Sequence, residues 1–344
     1  MILKIKKDVL NVKVKNIPVN MMFLLMWLVD AFYVQMSSSH YSDYIEYYDV
    51  YNGLKENYFE FGYYYLGLMA KSLGCDFFLF RMIIVTLTLL LLHNSILKYS
   101  KEPGWVTLIY MIHPFLLQCI QIRNAFAVAI IIFSLRFLDR ENKNILKFIV
   151  LMVCAVSIHI SSLLYLVILC CVFFEYKFIV KISISILLTL EIILYFFKNQ
   201  IVYFMASLLK TQKITYYLSS GDNRFLSTSM LVYLVIYVVC YLVYNQIYKK
   251  KNSNDFDGML LMSSLLIMAY IPLMLVNFDY FRIFEYFFPV VTMALFNVLH
   301  KINFSNFIFK CAIRIGFLAI SLYQCIVWII DNNNEVLNNI ILWK

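Results

Sequence analysis

IPVNMMFLLMWLVDAFYVQM, residues 17–36, decides the class of this protein. A bilayer core is about 30 Å thick and is crossed by about 20 mostly apolar residues in helical form. This run meets that length. The segment before it is basic, with Lys4, Lys6, Lys7, Lys13 and Lys15, as in a secretory signal. A removable signal would end at a small-residue cleavage site, and none follows. The run is therefore expected to remain as a first membrane helix.

The rest of the chain repeats the pattern. Hydrophobic residues make up 63% of the 344, charged residues only 14%, and mean hydropathy is +0.78. Soluble domains average about 45–50% apolar and about 25% charged, so this chain could not clothe a water-facing surface. Apolar runs long enough, or nearly long enough, to span fall near 17–36, 77–97, 105–120, 124–138, 145–158, 160–175, 178–197, 227–248, 258–276, 281–299 and 311–330. Several are short, and 105–138 and 145–175 hold two spans each only if the chain turns at Gln121–Asn124 and at His159. Gly62–Leu73 has one apolar face but is too short to cross, which predicts an interfacial or dipping helix. The expected fold is all-α, a polytopic transmembrane helix bundle of about 10–11 spans. Residues 1–16 form a basic cytoplasmic N-terminus, 17–330 a single membrane domain, and 331–344 a short outer tail. Two larger outward-facing loops occupy roughly 37–76 and 198–226.

Orientation follows from lysine and arginine, which gather in cytoplasmic loops. With the N-terminus inside, every expected inner loop is basic: Lys98 and Lys101; Arg136, Arg140, Lys143 and Lys147; Lys177 and Lys181; Lys249 to Lys251; Lys301, Lys310 and Arg314. Asp43, Glu46, Asp49, Glu56, Glu60, Asp76, Asp222 and Asp279 all fall outside. The net charge of +9 is thus explained by loops facing anionic lipid, and no nucleic-acid partner is implied. The eight cysteines show no CxxC or metal spacing and read as small membrane hydrophobes. Only 8 Gly and 5 Pro are present, few for the broken helices of a transporter.

A few polar residues break the inside-positive pattern at expected outer helix ends. Arg123, flanked by Gln121 and Asn124, opens a helix on that face. A guanidinium fork beside free helix N–H groups suits a phosphate. Snorkelling to headgroups is the ordinary alternative. His159 lies between apolar runs and precedes Ser161 and Ser162. It suits a general base or phosphate ligand, or else it and the serines simply cap the turn. Arg282 follows Asn277, Asp279 and Tyr280, so a local pair with Asp279 or Glu285 competes with an anion-binding role. Glu60 precedes Tyr63, Tyr64 and Tyr65, and Asp43 stands beside Tyr44, Tyr47 and Tyr48. Carboxylates among aromatic rings furnish sugar sites, although interfacial tyrosine belts look the same. Asp30 and Glu191 fall within expected spans, close to their ends, and His113 before Pro114 marks a helix kink. No P-loop, HExxH, GxSxG or dinucleotide fingerprint occurs, and Asp255 and Asp257 match a DxD spacing only on the cytoplasmic side.

In order, the chain carries Asp43–Tyr44, FEFGYYYLGLMAKSLG at 59–74, QIRNAFAVA at 121–129, SIHISSL at 157–163 and DYFRIFEY at 279–286. This series resembles the EpsG family of bacterial exopolysaccharide proteins, relatives of the Wzy-type O-antigen and capsule polymerases. The resemblance runs from about residue 20 to 330. It implies a glycosyltransferase in the bacterial cytoplasmic (inner) membrane that joins undecaprenyl-diphosphate-linked repeat units at the outer face, without metal or other cofactor. Arg123 and Arg282, with Asn124 and Gln121, would then hold the diphosphate, His159, Glu60 or Asp43 would supply acid–base chemistry, and Tyr44, Tyr63 and Tyr64 would contact sugar. Membrane lipid, a chain-length regulator and a flippase are the further partners implied. Two other classes fit a polytopic chain. A flippase for lipid-linked sugar should carry cations along mid-helix rather than at one face, and a glycan-modifying acyltransferase needs a polar path for its cytoplasmic donor.

Overall fold

A computed structural model describes residues 2–34, 42–139, 143–209, 228–247, 255–276, 278–301 and 307–331. Among them every regular element is helical, as a chain with few polar groups requires, since a helix satisfies its backbone internally. The helices are α1 (Ile2–Val29, continued as a π-helical turn, Asp30–Val34), α2 (Ser42–Asn52), α3 (Phe61–Ser72), α4 (Phe77–Tyr99) and α5 (Pro103–Ile112). Next come α6 (Phe115–Ile120), α7 (Ile122–Ser134), α8 (Ile145–Ile158), a 3-10 segment Ile160–Leu169 and α9 (Cys170–Phe173). The remainder are α10 (Tyr176–Leu209), α11 (Thr228–Ile247), α12 (Phe256–Met268), α13 (Phe281–Leu299) and α14 (Phe307–Asp331).

Six helices among the described residues are long and apolar enough to cross a membrane: Phe77–Tyr99, Tyr176–Phe197, Thr228–Gln246, Phe256–Leu275, Phe281–Leu299 and Lys310–Val327. The protein is a multi-pass membrane protein. Four other expected spans fall on shorter apolar helices, Asn16–Phe32, Pro103–Ile112, Ile145–Ile158 and Ile160–Phe173. The chain is cut there for local reasons. Pro114 lacks an N–H and separates α5 from α6. Gln121 separates α6 from α7, and His159, in extended conformation, separates α8 from the 3-10 segment. The helices are therefore interrupted at both positions where a turn was expected.

The stretch expected as a first outer loop holds two helices, α2 and α3. The second is entered by helix α10, which continues to Leu209 where a loop was expected from residue 198. Residues 210–227, and the expected tail beyond 331, lie outside the described residues.

The chain forms two compact units, one of residues 1–166 and 288–344, the other of 167–287. In the first, α4 packs on α7, α7 on α8, α1 on α4 and α5, and α14 on α5. Within it a charged pair is sealed in. Arg81 of α4 is 1% exposed and Asp30 of the π-helical turn 0%. The guanidinium donates through Nη1 to Asp30 Oδ2 at 3.0 Å, through Nη2 to Oδ1, and through Nη2 to the Cys119 carbonyl at 2.9 Å. This fork satisfies both carboxylate oxygens and ties α1 to α4 and α6. In the second unit α10 and α11 pack on α12. Tyr176 donates to the Asp255 carbonyl at 2.7 Å, and Ser183 and Tyr237 share a hydrogen bond of 3.1 Å.

The short helix α3 lies against α8. Gly62 permits this. A β-carbon there would stand 2.3 Å from Ser157 Oγ and 2.7 Å from its carbonyl oxygen, so only hydrogen fits. Small residues let membrane helices approach this closely. Glu60 is thereby brought to the end of α8.

Candidate functional site

Glu60 is the N-cap residue of α3, with extended backbone at φ −61° and ψ 146°. Its side chain does not cap the helix. It turns instead to the two chain breaks. Oε2 accepts from Arg123 Nη1 at 2.6 Å. Oε1 accepts from the backbone N–H of Ile160 at 3.0 Å, the first residue of the 3-10 segment. Oε1 also lies 3.3 Å from His159 Nδ1, within ion-pair reach but off the line of a good hydrogen bond. One carboxylate thus gathers the start of α7 and the end of α8.

Arg123, on the first turn of α7, points into a cage of rings. Its guanidinium carbon is 4.0 Å from the Phe59 ring centre, 5.2 Å from Tyr47 and 5.6 Å from Tyr63. Cation–π attraction and the Glu60 charge hold it inside the fold instead of letting it reach outward. The three side chains are 14–24% exposed, enclosed yet reachable.

Burial alone would raise the Glu60 carboxyl above its ordinary range. The His159 imidazole, the Arg123 charge and the Ile160 N–H outweigh this and hold it down, from 4.5 to about 2. Glu60 is ionised throughout the physiological range.

Several buried polar atoms here lack hydrogen-bond partners among the described residues: Tyr63 Oη, Arg123 Nε, Asn124 Oδ1 and Ser162 Oγ, while His159 Nδ1 has only its ion-pair contact with Glu60. Such groups are costly unless something meets them. Ser162 Oγ makes no capping bond, so the serine does not serve the following turn as a simple N-cap. The arrangement offers an ionised carboxylate orienting an imidazole, a planar cation with donors to spare, and unpaired polar atoms around them. It is equipped for an anionic group and a proton transfer.

Not every expected residue joins this group. Gln121 and Asn124 are buried at the α6–α7 break beside Arg123. Asp43 lies in the first turn of α2, outside the Glu60 hydrogen-bonded group. Tyr44 packs edge-on against Phe77 at 5.2 Å and lies 6.0 Å from Arg81. Tyr63 belongs to the Arg123 cage, and Tyr64 lines the adjoining cavity. Arg282, in the other unit, pairs with Asp279 at 3.0 Å, the local partner that its sequence offers; Asn277 lies outside the described residues. Phe59 was not among the expected site residues, and Tyr47 was expected only as part of the aromatic cluster beside Asp43. Their signal was adjacency, Phe59 preceding Glu60 and Tyr47 standing in the Tyr44–Tyr48 cluster.

The family model named EpsG family matches residues 16–340. The chain belongs to the EpsG family. The match takes in Glu60, Arg123, His159 and Arg282, and so covers both units. The EpsG family is associated with polysaccharide-polymerase-like membrane proteins, which makes this chain a polysaccharide-biosynthesis membrane protein in class. No curated protein and no solved structure matches the chain.

Proposed function

We propose that this EpsG-family protein is a polysaccharide polymerase that joins undecaprenyl-diphosphate-linked repeat units at the outer face of the bacterial cytoplasmic membrane. The observation that carries the reading is the Glu60–Arg123–His159 cluster, with Arg123 Nη1 2.6 Å from Glu60 and His159 Nδ1 3.3 Å from it. In the reaction, a hydroxyl oxygen of the acceptor unit bonds to the anomeric carbon of the donor glycan. The bond from that carbon to the diphosphate oxygen breaks, and undecaprenyl diphosphate leaves with the electron pair. His159 takes the hydroxyl proton through Nε2, because Glu60 faces Nδ1 and favours the tautomer protonated there. Arg123 meets the charge that grows on the departing diphosphate.

Deleting the gene tests the activity. Single repeat units should then cap the lipid carrier where long polymer is normally made, and unchanged polymer length would remove the reading. Arg123→Lys tests the site, since it keeps charge and loses the fork. We expect polymer to fall at least about tenfold, the equivalent of one charge-assisted hydrogen bond of about 1.5–3 kcal/mol. Wild-type polymer from Arg123→Lys would return Arg123 to a structural role.

A further inference from the structure

A cavity of about 120 Å³ opens among α2, α3 and the start of α4, lined by Tyr47, Tyr51, Tyr63, Tyr64, Lys71 and Phe80 among others. Phe59 also lines it, so all three rings that enclose Arg123 form part of its wall. The cavity and the charged cluster are neighbours through shared side chains.

Gly67 explains why the space is empty. Glycine is a poor helix former, and it sits on α3 with no crowding to require it. A β-carbon there would stand 3.5 Å from Tyr51 Cδ2 and 3.9 Å from Phe80 Cε1, ordinary contact distances. Its missing side chain provides room, not close packing. Behind that room Tyr51 and Phe80 stack, with ring centres 5.2 Å apart and planes 18° apart. Lys71 is the one charged residue in the lining; its Nζ donates to the Tyr51 carbonyl at 3.0 Å and lies 5.7 Å from the Tyr51 ring centre. Aromatic faces, phenol hydroxyls and an ammonium group together match a ring with C–H groups on its faces and oxygens around its edge. A prenyl chain would use the rings but make no use of the ammonium group of Lys71.

We propose that this cavity binds one pyranose ring of the glycan, stacked on aromatic faces beside the Glu60–Arg123–His159 cluster, with Lys71 donating to its oxygen substituents. The inference rests on the polymerase reading for the ligand being a sugar, and its test is independent of polymer formation. The purified full-length protein in lipid nanodiscs is irradiated at its aromatic protons, and saturation transfer is read on added probes. The probes are the methyl pyranosides of glucose, galactose, N-acetylglucosamine and glucuronic acid, with farnesyl phosphate as the lipid comparison. Wild type should transfer saturation to the ring C–H protons of at least one pyranoside. Gly67→Leu, which fills the space, should reduce that signal about tenfold, the low end of what misfit costs in a closed pocket. Gly67→Ala fits without clash and should reduce it less while leaving thermal unfolding unchanged or higher, which guards against a Gly67→Leu variant that fails to fold. Lys71→Gln should weaken every pyranoside that binds. Transfer to no pyranoside, undiminished transfer in both Gly67 variants, or transfer confined to farnesyl phosphate would overturn the proposal. A protein that binds no pyranoside, yet whose deletion shortens polymer, loses the pocket and keeps the polymerase reading. The opposite pair of results keeps the pocket and loses the polymerase.

Discussion

Gly62→Ala should cripple the candidate site without touching a charged residue. The new β-carbon would lie 2.3 Å from Ser157 Oγ, 2.7 Å from the Ser157 carbonyl oxygen and 2.8 Å from its carbonyl carbon. The hydroxyl can rotate away, at the expense of its 2.7 Å bond to the Cys154 carbonyl. The backbone atoms cannot. Restoring ordinary contact at 3.4 Å requires α3 to retreat from α8 by roughly 0.7 Å, and overpacking of this kind costs about 1–3 kcal/mol. Alanine's better helix propensity returns up to about 1 kcal/mol, so the net loss of stability should be about 0–3 kcal/mol and the protein should still fold. Glu60 stands two residues before Gly62 and moves with α3. Its contact with His159, already 3.3 Å, opens toward the ion-pair limit, and the 2.6 Å bond to Arg123 stretches. Losing one charge-assisted bond, about 1.5–3 kcal/mol, corresponds to a tenfold to hundredfold fall in polymerisation. The assay pairs polymer yield and length on gels with thermal unfolding in detergent. Ser157→Ala added to Gly62→Ala should rescue little, because the carbonyl clash remains. Wild-type polymer from Gly62→Ala, or full rescue by Ser157→Ala, would refute the reasoning.

Other outcomes follow from the same geometry. Glu60 is held at about 2 against 4.5 when free, so its stabilisation is complete above pH 4.5 and is lost as pH falls from there through about 2. Allowing for solvent around a partly exposed group, this amounts to about 1–2 kcal/mol; thermal unfolding across that window should drop more steeply in wild type than in Glu60→Gln. Asp30→Ala should strand Arg81 in the interior and cost about 3–5 kcal/mol, while Asp30→Leu with Arg81→Met should recover most of it; both are read by folded yield and unfolding temperature. His159→Asn should lower turnover about 10²–10⁴-fold with a smaller change in KM for lipid-linked substrate, as loss of a base requires.

The helical bundle was legible because a membrane helix announces itself by composition over its whole length. The breaks at Gln121 and His159 were legible too, since the apolar runs around them were too long for one span and too short for two without a sharp turn. The Arg81–Asp30 pair was not. A window of about 20 residues tolerates one charge, so Arg81 disappeared into the 77–97 run and Asp30 was left near a span end. Two lone opposite charges in neighbouring spans were the available signal, because charges at membrane depth seek partners. Glu60, Arg123 and His159 were each visible by type, but their association was not. It depends on α3 lying against α8, and that contact turns on Gly62, whose meaning appears only once Ser157 faces it.

That association changes what each residue can do in the proposed reaction. By sequence, Glu60, Asp43 and His159 are equal candidates for the base. A carboxylate held at about 2 is badly matched to taking a proton from a sugar hydroxyl near neutral pH. The contacts that make it a poor base make it a good orienter of His159 and a counter-charge for Arg123. A diphosphate arriving at Arg123 competes with Glu60 for one guanidinium. As Arg123 turns to the diphosphate, Glu60 keeps its place beside His159 Nδ1 and its bond from the Ile160 N–H. An empty site keeps Glu60 and Arg123 neutralised against each other. Arg123→Lys and His159→Asn should not be additive in turnover, because both residues are held by the Glu60 carboxylate. Strict additivity would separate the two residues and leave Glu60–Arg123 as a structural pair.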